Sequence, residues 1–236
     1  MPAALVTGSA TGIGRALALA LAEHGYDVAV NYRRNRRDAD EVVRLAKGQG
    51  VRAVGLQADV TVYQEAKGLV ETAREQLGGL DVLINNVGDY YHGPLEELAA
   101  SDWLRMFDSN LHSTFYTCQT AVPMMRAAGG GRILNLGYAG SESLVARPGI
   151  VAYAAAKTGV ILYSKALAKT EAKHNITVNV VSPGVMENSD TKPLREIPMG
   201  RSGKLSELVA AALYLLSPEA AYVTGATLEV AGGWNL

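Results

Sequence analysis

The chain offers little thiol or imidazole chemistry. It contains one cysteine, Cys118, and four histidines among its 236 residues. A single cysteine cannot form an intramolecular disulfide, and scattered histidines without a second thiol make a poor metal cluster. We therefore expect Cys118 to be a small buried residue, and we expect no metal site.

An excess of charge of either sign is also missing. Lysine and arginine number 22 against 23 aspartates and glutamates, and the pI is near 6.4. A balanced chain has no general attraction for nucleic acid or for anionic lipid. Neither is expected as a partner, and any anion site must be local.

Long hydrophobic segments are the third absence. No basic segment precedes an apolar stretch in the opening MPAALVTGSA, and no run approaches the roughly 18 apolar residues of a membrane span. The sequence predicts no membrane contact and a cytoplasmic location. Its 48% apolar composition is nevertheless enough for a substantial core.

Short apolar segments alternate along the chain with longer segments of helical spacing. Strands are predicted near 3–7, 27–32, 51–57, 80–86, 131–136, 176–182 and 226–232. Helices are predicted near 14–25, 37–50, 63–78, 101–129 and 151–174. Because the strand segments are continuously apolar, they suit strands that are covered on both faces. We predict an α/β fold, a Rossmann-type doubly wound parallel sheet of about seven strands, in one domain over 1–236.

A glycine-rich turn follows the first predicted strand. In VTGSATGIGRA, the residues Gly8, Thr11, Gly12, Ile13 and Gly14 lie between that strand and the first long helix. A tight turn here requires residues without a Cβ clash, and the helix N-terminus beyond it offers free N–H groups to a phosphate. This context predicts dinucleotide binding, with a turn merely softened by glycine as the alternative.

The second predicted strand ends without an acidic residue to bind both ribose hydroxyls. Arg33 and Arg34 follow it instead in VNYRRNRRD. A guanidinium can bind a 2′-phosphate in a bidentate contact, whereas a carboxylate would repel it. We therefore predict NADPH/NADP+ rather than NADH as cofactor, and we assign Arg36 and Arg37 to a solvated basic face.

Two residues after the third predicted strand are assigned to the adenine. Asp59 and Val60 follow the strand in QADV. The carboxylate of Asp59 can accept a hydrogen bond from the adenine amino group, and a helix N-cap is its alternative role.

A tyrosine and a lysine occupy adjacent turns of one predicted helix. Tyr153 and Lys157 in YAAAK lie on the same helix face. An ammonium group close to a phenol eases loss of the phenolic proton.

With this pair the chain closely resembles the short-chain dehydrogenase/reductase family from the first strand to GG at 232–233. The resemblance also rests on the glycine turn, NNVG at 85–88, Asn110 within a long predicted helix, and SPG at 182–184.

The resemblance implies a reaction and a role for each matching residue. Tyr153 is the implied acid/base, Lys157 the residue that holds the nicotinamide ribose and lowers the pKa of the tyrosine, and Asn110 the holder of a proton-relay water. The implied reaction is reduction of a carbonyl or C=N bond by hydride, with Tyr153 delivering the proton. The remaining implied contacts are Asn86 and Gly88 beside the adenosine ribose, and Pro183 and Gly184 flanking the nicotinamide.

The serine that this family usually has after the fifth strand is missing. Counting from the strand places Tyr138 at its position, whereas counting back from Tyr153 places Gly140 there. Strands hold register better than loops, so we favour Tyr138 as the hydrogen-bond donor to the substrate oxygen. Ser141 is the alternative, and Ser143 is expected to cap or to face water.

Three functions remain open. A short segment between Gly184 and Met199 suggests an open pocket and a 3-oxoacyl type of carbonyl substrate, small or carrier-bound, as in 3-oxoacyl-[acyl-carrier-protein] reductases. Tyr90, with Tyr91 and His92, suggests a pteridine reductase, although position 138 lacks the acidic residue expected there. Because the serine is missing, an NADPH-binding protein with weak or no catalysis is the third possible function.

The assembly state is the last expectation. The segments 101–129 and 151–174 carry apolar residues on more than one face, including Phe115 and Leu162. Such surface can be buried between subunits, and the resemblance implies a homotetramer, with a dimer as the alternative.

Overall fold

The computed structural model describes residues 1–235 as a layered α/β arrangement around one parallel sheet. Within them, seven strands pair in the order β3-β2-β1-β4-β5-β6-β7. The strands are β1 (Ala3–Val6), β2 (Asp27–Tyr32), β3 (Ala53–Gln57), β4 (Val82–Asn85), β5 (Gly131–Leu136), β6 (Ile176–Pro183) and β7 (Thr227–Val230). The strand order reverses between β1 and β4, which is the signature of a doubly wound sheet. The predicted fold class is confirmed.

Helices cover both faces of this sheet. They are α1 (Gly12–Glu23), α2 (Arg36–Gly48), α3 (Tyr63–Leu77), α4 (Ala100–Phe107), α5 (Ser113–Ala128), α6 (Val151–Glu171) and α7 (Leu205–Leu216). On β1, Ala4 and Val6 pack with α1, α2 and α7, whereas Ala3 and Leu5 pack with α3 and α5. Every residue of β1 is therefore buried, which explains why the strand segments read as continuously apolar.

The predicted helix over 101–129 is divided in the structure. A π-helical turn, Asp108–His112, separates α4 from α5. Its side chains bond to backbone carbonyls of the preceding turn: Ser109 Oγ donates to Arg105 O at 2.7 Å, and Asn110 Nδ2 donates to Met106 O at 2.9 Å. Turns of this kind occur often at functional sites.

One helix meets a criterion for a membrane span that is based on length and mean composition alone. Within residues 1–235, α6 with its flanking short turns, Pro148–His174, meets that criterion by length and composition. A core helix of a sheet-based fold meets the same criterion, and α6 contacts β6, α4 and the π-helical turn. Cys118 on α5 is buried, as predicted.

Candidate active site

The glycine turn is shaped by backbone conformations and by close contacts. Gly8 and Gly12 have φ of 60° and 58°, in the left-handed region that favours glycine. A Cβ added at Gly14 would lie 2.6 Å from Asn86 Nδ2 and would also collide with Gly8 O. Asn86 Nδ2 donates to the carbonyls of Thr7 and Gly8 at 3.0 and 3.1 Å, so the residue after β4 fixes the turn after β1.

The start of α1 is open to an anion. The Thr11 side chain makes no capping hydrogen bond, and no acidic residue lies in the first turn. The first N–H groups of a helix, here those of Gly12, Ile13 and Gly14, have no intrahelical acceptor and carry the positive end of the helix dipole. This surface fits a pyrophosphate.

Asn31 lies on β2 and supports the glycine turn, a role that the sequence patterns did not predict. Its Oδ1 accepts from the N–H of Gly8 at 3.0 Å, and its Nδ2 donates to Ala58 O at 3.2 Å. The residue is buried. An asparagine inside the apolar strand DVAVNY was the signal, because a buried amide requires specific partners.

Arg33 and Asp59 form an ion pair across the ends of β2 and β3. Arg33 Nη1 lies 3.3 Å from Asp59 Oδ2, while Asp59 Oδ1 accepts from the Thr61 hydroxyl at 2.7 Å and from its N–H at 3.0 Å. Partial burial alone would raise the pKa of Asp59, but the hydrogen bonds from Thr61 and Arg33 outweigh it and lower that pKa. The carboxylate thus accepts from Thr61 and Arg33 within the described residues, and its contact with the adenine stays a prediction.

Two small cavities adjoin this ion pair. One, of about 220 Å³, is lined by Gly8, Thr11, Arg33 and Arg34 among others, and joins the glycine turn to the arginines. The other, of about 130 Å³, is lined by Gly8, Arg33, Asp59 and Val60 among others. Arg36 and Arg37 begin α2 as exposed residues, in agreement with their assignment to a solvated face.

Lys157 is buried at the carboxyl end of β5. Its Nζ donates to Leu136 O at 2.7 Å and lies 5.9 Å from the centroid of the Tyr153 ring. Burial lowers the pKa of Lys157 to about 8. A Cβ at Gly88 would stand 3.3 Å from this ammonium and would collide with Asn110 Oδ1, so the glycine keeps space open beside both groups.

Tyr153 is surrounded by other aromatic rings. Its ring centroid lies 5.0 Å from that of Tyr90 and 5.3 Å from that of Tyr138, both edge to face. Burial, followed by the two neighbouring phenols, raises the pKa of Tyr153. The lowering of this pKa by Lys157, which the resemblance implies, stays a prediction.

Asn110 presents a buried acceptor to the same region. Its Nδ2 donates to Asp89 O at 3.0 Å as well as to Met106 O. Its Oδ1 is buried and accepts no hydrogen bond from residues 1–235. A buried acceptor without a partner is costly, which suits this oxygen to a group that binds in the site.

The loop after β5 places Tyr138, rather than Ser141, beside Tyr153. The Ser141 hydroxyl is buried and donates to Tyr138 O within the loop. Ser143 is exposed, and Gly140 has φ of 83° with its N–H donating to Glu229 Oε1 at 2.7 Å. The geometry therefore agrees with the position counted from the strand.

Among the residues after β4, Tyr90 reaches the site. Tyr91 packs its hydroxyl against Gly93, and His92 is exposed beside Gly149. No contact of these two with Tyr153 is seen in the described part of the chain. Tyr90 itself remains 59% exposed, so this residue is accessible to a ligand.

Pro183 and Gly184 end β6 at the same edge of the sheet. Pro183 O accepts from Ala139 N at 3.2 Å, which joins β6 to the Tyr138 loop. A Cβ at Gly184 would lie 2.8 Å from Ala231 Cα, so the glycine permits close packing. Residues assigned from distant segments thus gather where the strand order reverses, the usual place for a ligand in such sheets.

Comparison with known proteins finds a family match and relatives that cover almost the whole chain. A family model described as Enoyl-(Acyl carrier protein) reductase matches residues 8–235. The chain is 38% identical to 3-oxoacyl-[acyl-carrier-protein] reductase FabG of Staphylococcus aureus strain Mu50, over 98% of this chain and 96% of that protein. It is 37% identical to glucose 1-dehydrogenase 2 of Bacillus subtilis strain 168, over 99% and 94%.

A solved structure with a similar fold is also found. The blue fluorescent protein from a metagenomic library, in complex with NADPH, superposes with a TM-score of 0.94 at 33% identity, covering 100% of this chain and 98% of that one. Sheet order, glycine turn and relatives together define an oxidoreductase built on a dinucleotide-binding fold. The chain belongs to the short-chain dehydrogenase/reductase family.

Proposed function

We propose that this protein is an NADPH-dependent reductase of carbonyl compounds, with 3-oxoacyl thioesters, small or carrier-bound, as the favoured substrate class. The observation that carries the proposal is that Lys157 and Asn110 lie beside Gly88, with the Lys157 ammonium 5.9 Å from the centroid of the Tyr153 ring, at the sheet edge that also holds the glycine turn. The Staphylococcus relative supports the thioester substrate. The Bacillus relative, at similar identity, acts by its name on a sugar, so the substrate needs a direct test.

The described residues fit a dinucleotide. The open start of α1 would hold the pyrophosphate through Thr11, Gly12, Ile13 and Gly14, and Gly8 leaves room for its approach. Additional contacts are proposed from Arg33 and Arg34 to the 2′-phosphate, Asp59 and Val60 to the adenine, Asn86 and Gly88 to the adenosine ribose, Lys157 to the nicotinamide ribose, and Pro183 and Gly184 to the nicotinamide.

The proton is assigned to Tyr153. When bound, the nicotinamide supplies the hydride that reduces the carbonyl carbon. Tyr153 is protonated at neutral pH, as an ordinary phenol is, and therefore has a proton to give to the carbonyl oxygen. Lys157, with a pKa of about 8, is mostly charged at pH 7 and favours the tyrosinate that remains. Asn110 Oδ1 is suited to orient a relay water that returns a proton.

A second function is favoured by one observation. Tyr90 is exposed and its ring centroid lies 5.0 Å from that of Tyr153, which suits the stacking of a flat heterocycle such as a pterin on Tyr90. Tyr138 provides no carboxylate to accept from the amino and ring N–H groups of a pterin. We therefore place the pteridine reductase second, and NADPH binding with weak or no catalysis third.

One comparison separates the three functions. We expect NADPH oxidation to be rapid with an acetoacetyl thioester and slow with a dihydropterin, both followed by the loss of NADPH absorbance. Faster oxidation with the dihydropterin would favour the second function. Tight NADPH binding without turnover across a broad set of carbonyl compounds would favour the third.

We also propose that residues 1–236 form one domain and that the chain assembles as a homotetramer, with a dimer as the alternative. Phe115 on α5 and Leu162 on α6 are 38% and 70% exposed, and an apolar surface of this kind is suited to contact a second subunit. Light scattering coupled to gel filtration distinguishes the tetramer from the dimer, and a monomer would contradict the proposal.

A further inference from the structure

The hydroxyl of Tyr138 is held by two residues from distant parts of the chain. Arg147 Nη1 lies 2.9 Å from Tyr138 Oη, and Asn235 Nδ2 lies 3.3 Å from it. Arg147 comes from the loop between β5 and α6, and Asn235 from the segment after β7. Neither residue is part of the site as predicted from the sequence.

The chemistry of the neighbours fixes the direction of each hydrogen bond. A guanidinium can only donate, so the atom of Asn235 that lies 3.0 Å from Arg147 Nη1 must be the accepting Oδ1. A backbone carbonyl can only accept, so the atom of Asn235 that lies 3.2 Å from Ala139 O must be the donating Nδ2. The orientation of this amide is therefore determined twice, independently, and its Nδ2 faces Tyr138 Oη as a donor.

Tyr138 Oη consequently receives two donors and has one proton to give. Within residues 1–235 the hydrogen bonds of this hydroxyl are the two that it accepts from Arg147 and Asn235, and its own proton has no acceptor there. The ring to which it belongs stands edge to face with Tyr153. A phenolic oxygen that accepts two hydrogen bonds becomes a better donor, because hydrogen bonds in a chain polarise one another.

From this arrangement we propose that Arg147 and Asn235 are positioning residues: they hold Tyr138 so that its hydroxyl proton is directed at the carbonyl oxygen of the substrate, replacing the serine that is missing. This inference rests on the proposed function. Within residues 1–235 no carboxylate lies within ion-pair distance of Arg147.

The protonation state of Tyr138 agrees with a donor role. Burial raises the pKa of Tyr138, the charge of Arg147 acts in the opposite direction, and the net shift is upward. The hydroxyl is therefore protonated at neutral pH and can donate, while the guanidinium limits the cost of charge that develops on a bound oxygen.

The test measures kcat and KM in the reductase assay for four variants and one control variant. Tyr138→Phe removes only the hydroxyl, and we expect kcat to fall about 10- to 100-fold with the KM for NADPH unchanged. Arg147→Ala should cause a similar fall, and Arg147→Lys should recover part of it. In the double variant Tyr138→Phe/Arg147→Ala, the fall in kcat should be smaller than the product of the two single falls, because both substitutions act on the same donor. Glu142→Gln, in an exposed ion pair of the same loop, is the control and should leave kcat unchanged.

A further variant separates positioning from folding. Asn235→Asp replaces the donating Nδ2 with an oxygen that can accept the Tyr138 proton, so kcat should fall even though a carboxylate gains an ion pair with Arg147. If Arg147→Ala does not fold, Tyr138→Phe and Asn235→Asp still decide the matter. Unchanged kcat in both would overturn the inference. Absence of turnover in the unmodified protein would instead contradict the proposed function.

Discussion

Tyr138 and Tyr153 meet edge to face, with ring centroids 5.3 Å apart and an interplanar angle of 69°. Each phenol has its own cation: Arg147 Cζ lies 5.5 Å from the centroid of Tyr138, and Lys157 Nζ lies 5.9 Å from that of Tyr153. The site therefore contains two phenol–cation pairs from different elements. Both phenols of the proposed site therefore belong to one packed pair of rings.

We propose that Arg33 gives the protein a preference for NADPH. We predict that Arg33→Ala raises the dissociation constant for NADPH by at least about tenfold, because a hydrogen bond to a charged group contributes about 1.5–3 kcal/mol. The constant for NADH should change little, since that cofactor has no 2′-phosphate. Fluorescence titration of both cofactors measures the two constants.

The matched control for this prediction is Arg36→Ala. Arg36 is exposed and pairs with Asp40 at 3.7 Å, so its removal should affect neither cofactor. Equal weakening of NADPH and NADH by Arg33→Ala would show that this arginine does not select between them.

The glycine turn permits a second prediction. Gly14→Ala places a methyl group against Gly8 O and Asn86 Nδ2, so we expect the free energy of unfolding to fall by about 2 kcal/mol and NADPH binding to weaken. Chemical denaturation and cofactor titration measure the two effects.

Gly68→Ala is the control for this substitution. Gly68 lies within α3, and a Cβ there meets nothing within 4 Å, so the change should stabilise the protein by about 0.5–1 kcal/mol. If both alanine variants were stabilised to the same extent, the crowding at Gly14 would have no energetic consequence.

The burial of Lys157 predicts a dependence of stability on pH. Its pKa is about 8 in the folded protein and near 10.4 in an unfolded chain. Between these values the unfolded chain binds more protons, so the free energy of unfolding should rise with pH by up to about 1.4 kcal/mol per pH unit. Denaturation of the cofactor-free protein from pH 7 to pH 9.5 measures this slope.

Two variants isolate the contribution of Lys157. Lys157→Met should remove the added slope, whereas Lys169→Met, at an exposed position of the same helix, should retain it. Parallel curves for the unmodified protein and Lys157→Met would mean that the folded lysine keeps an ordinary pKa.

Local sequence patterns were sufficient to predict the sheet and the glycine turn. The apolar strands are recognisable because both faces of the sheet are covered, and the glycines are recognisable because α1 follows β1 directly. The count from β5, which holds its register between β4 and β6, puts Tyr138 at the position of the missing serine, and its role as hydrogen-bond donor stays a prediction.

The remaining features depend on contacts between residues that are far apart in sequence. The π-helical turn at Asp108–His112 is stabilised partly by the bond from Asn110 to Asp89 O, which no helical periodicity encodes. Arg147 and Asn235 are far apart in sequence and meet at Tyr138 in the folded chain, and a lone arginine in a loop gives no sequence signal. The raised pKa of Tyr153 likewise comes from burial by neighbours that spacing does not identify.

The central claim, that Tyr153 supplies the proton in a carbonyl reduction, is tested most directly by Tyr153→Phe. The substitution keeps the ring that packs against Tyr90 and Tyr138 and removes only the hydroxyl. We predict that kcat for NADPH-dependent reduction of an acetoacetyl thioester falls about 10²- to 10⁴-fold, with the dissociation constant for NADPH unchanged. Turnover by Tyr153→Phe at the rate of the unmodified protein would contradict the account.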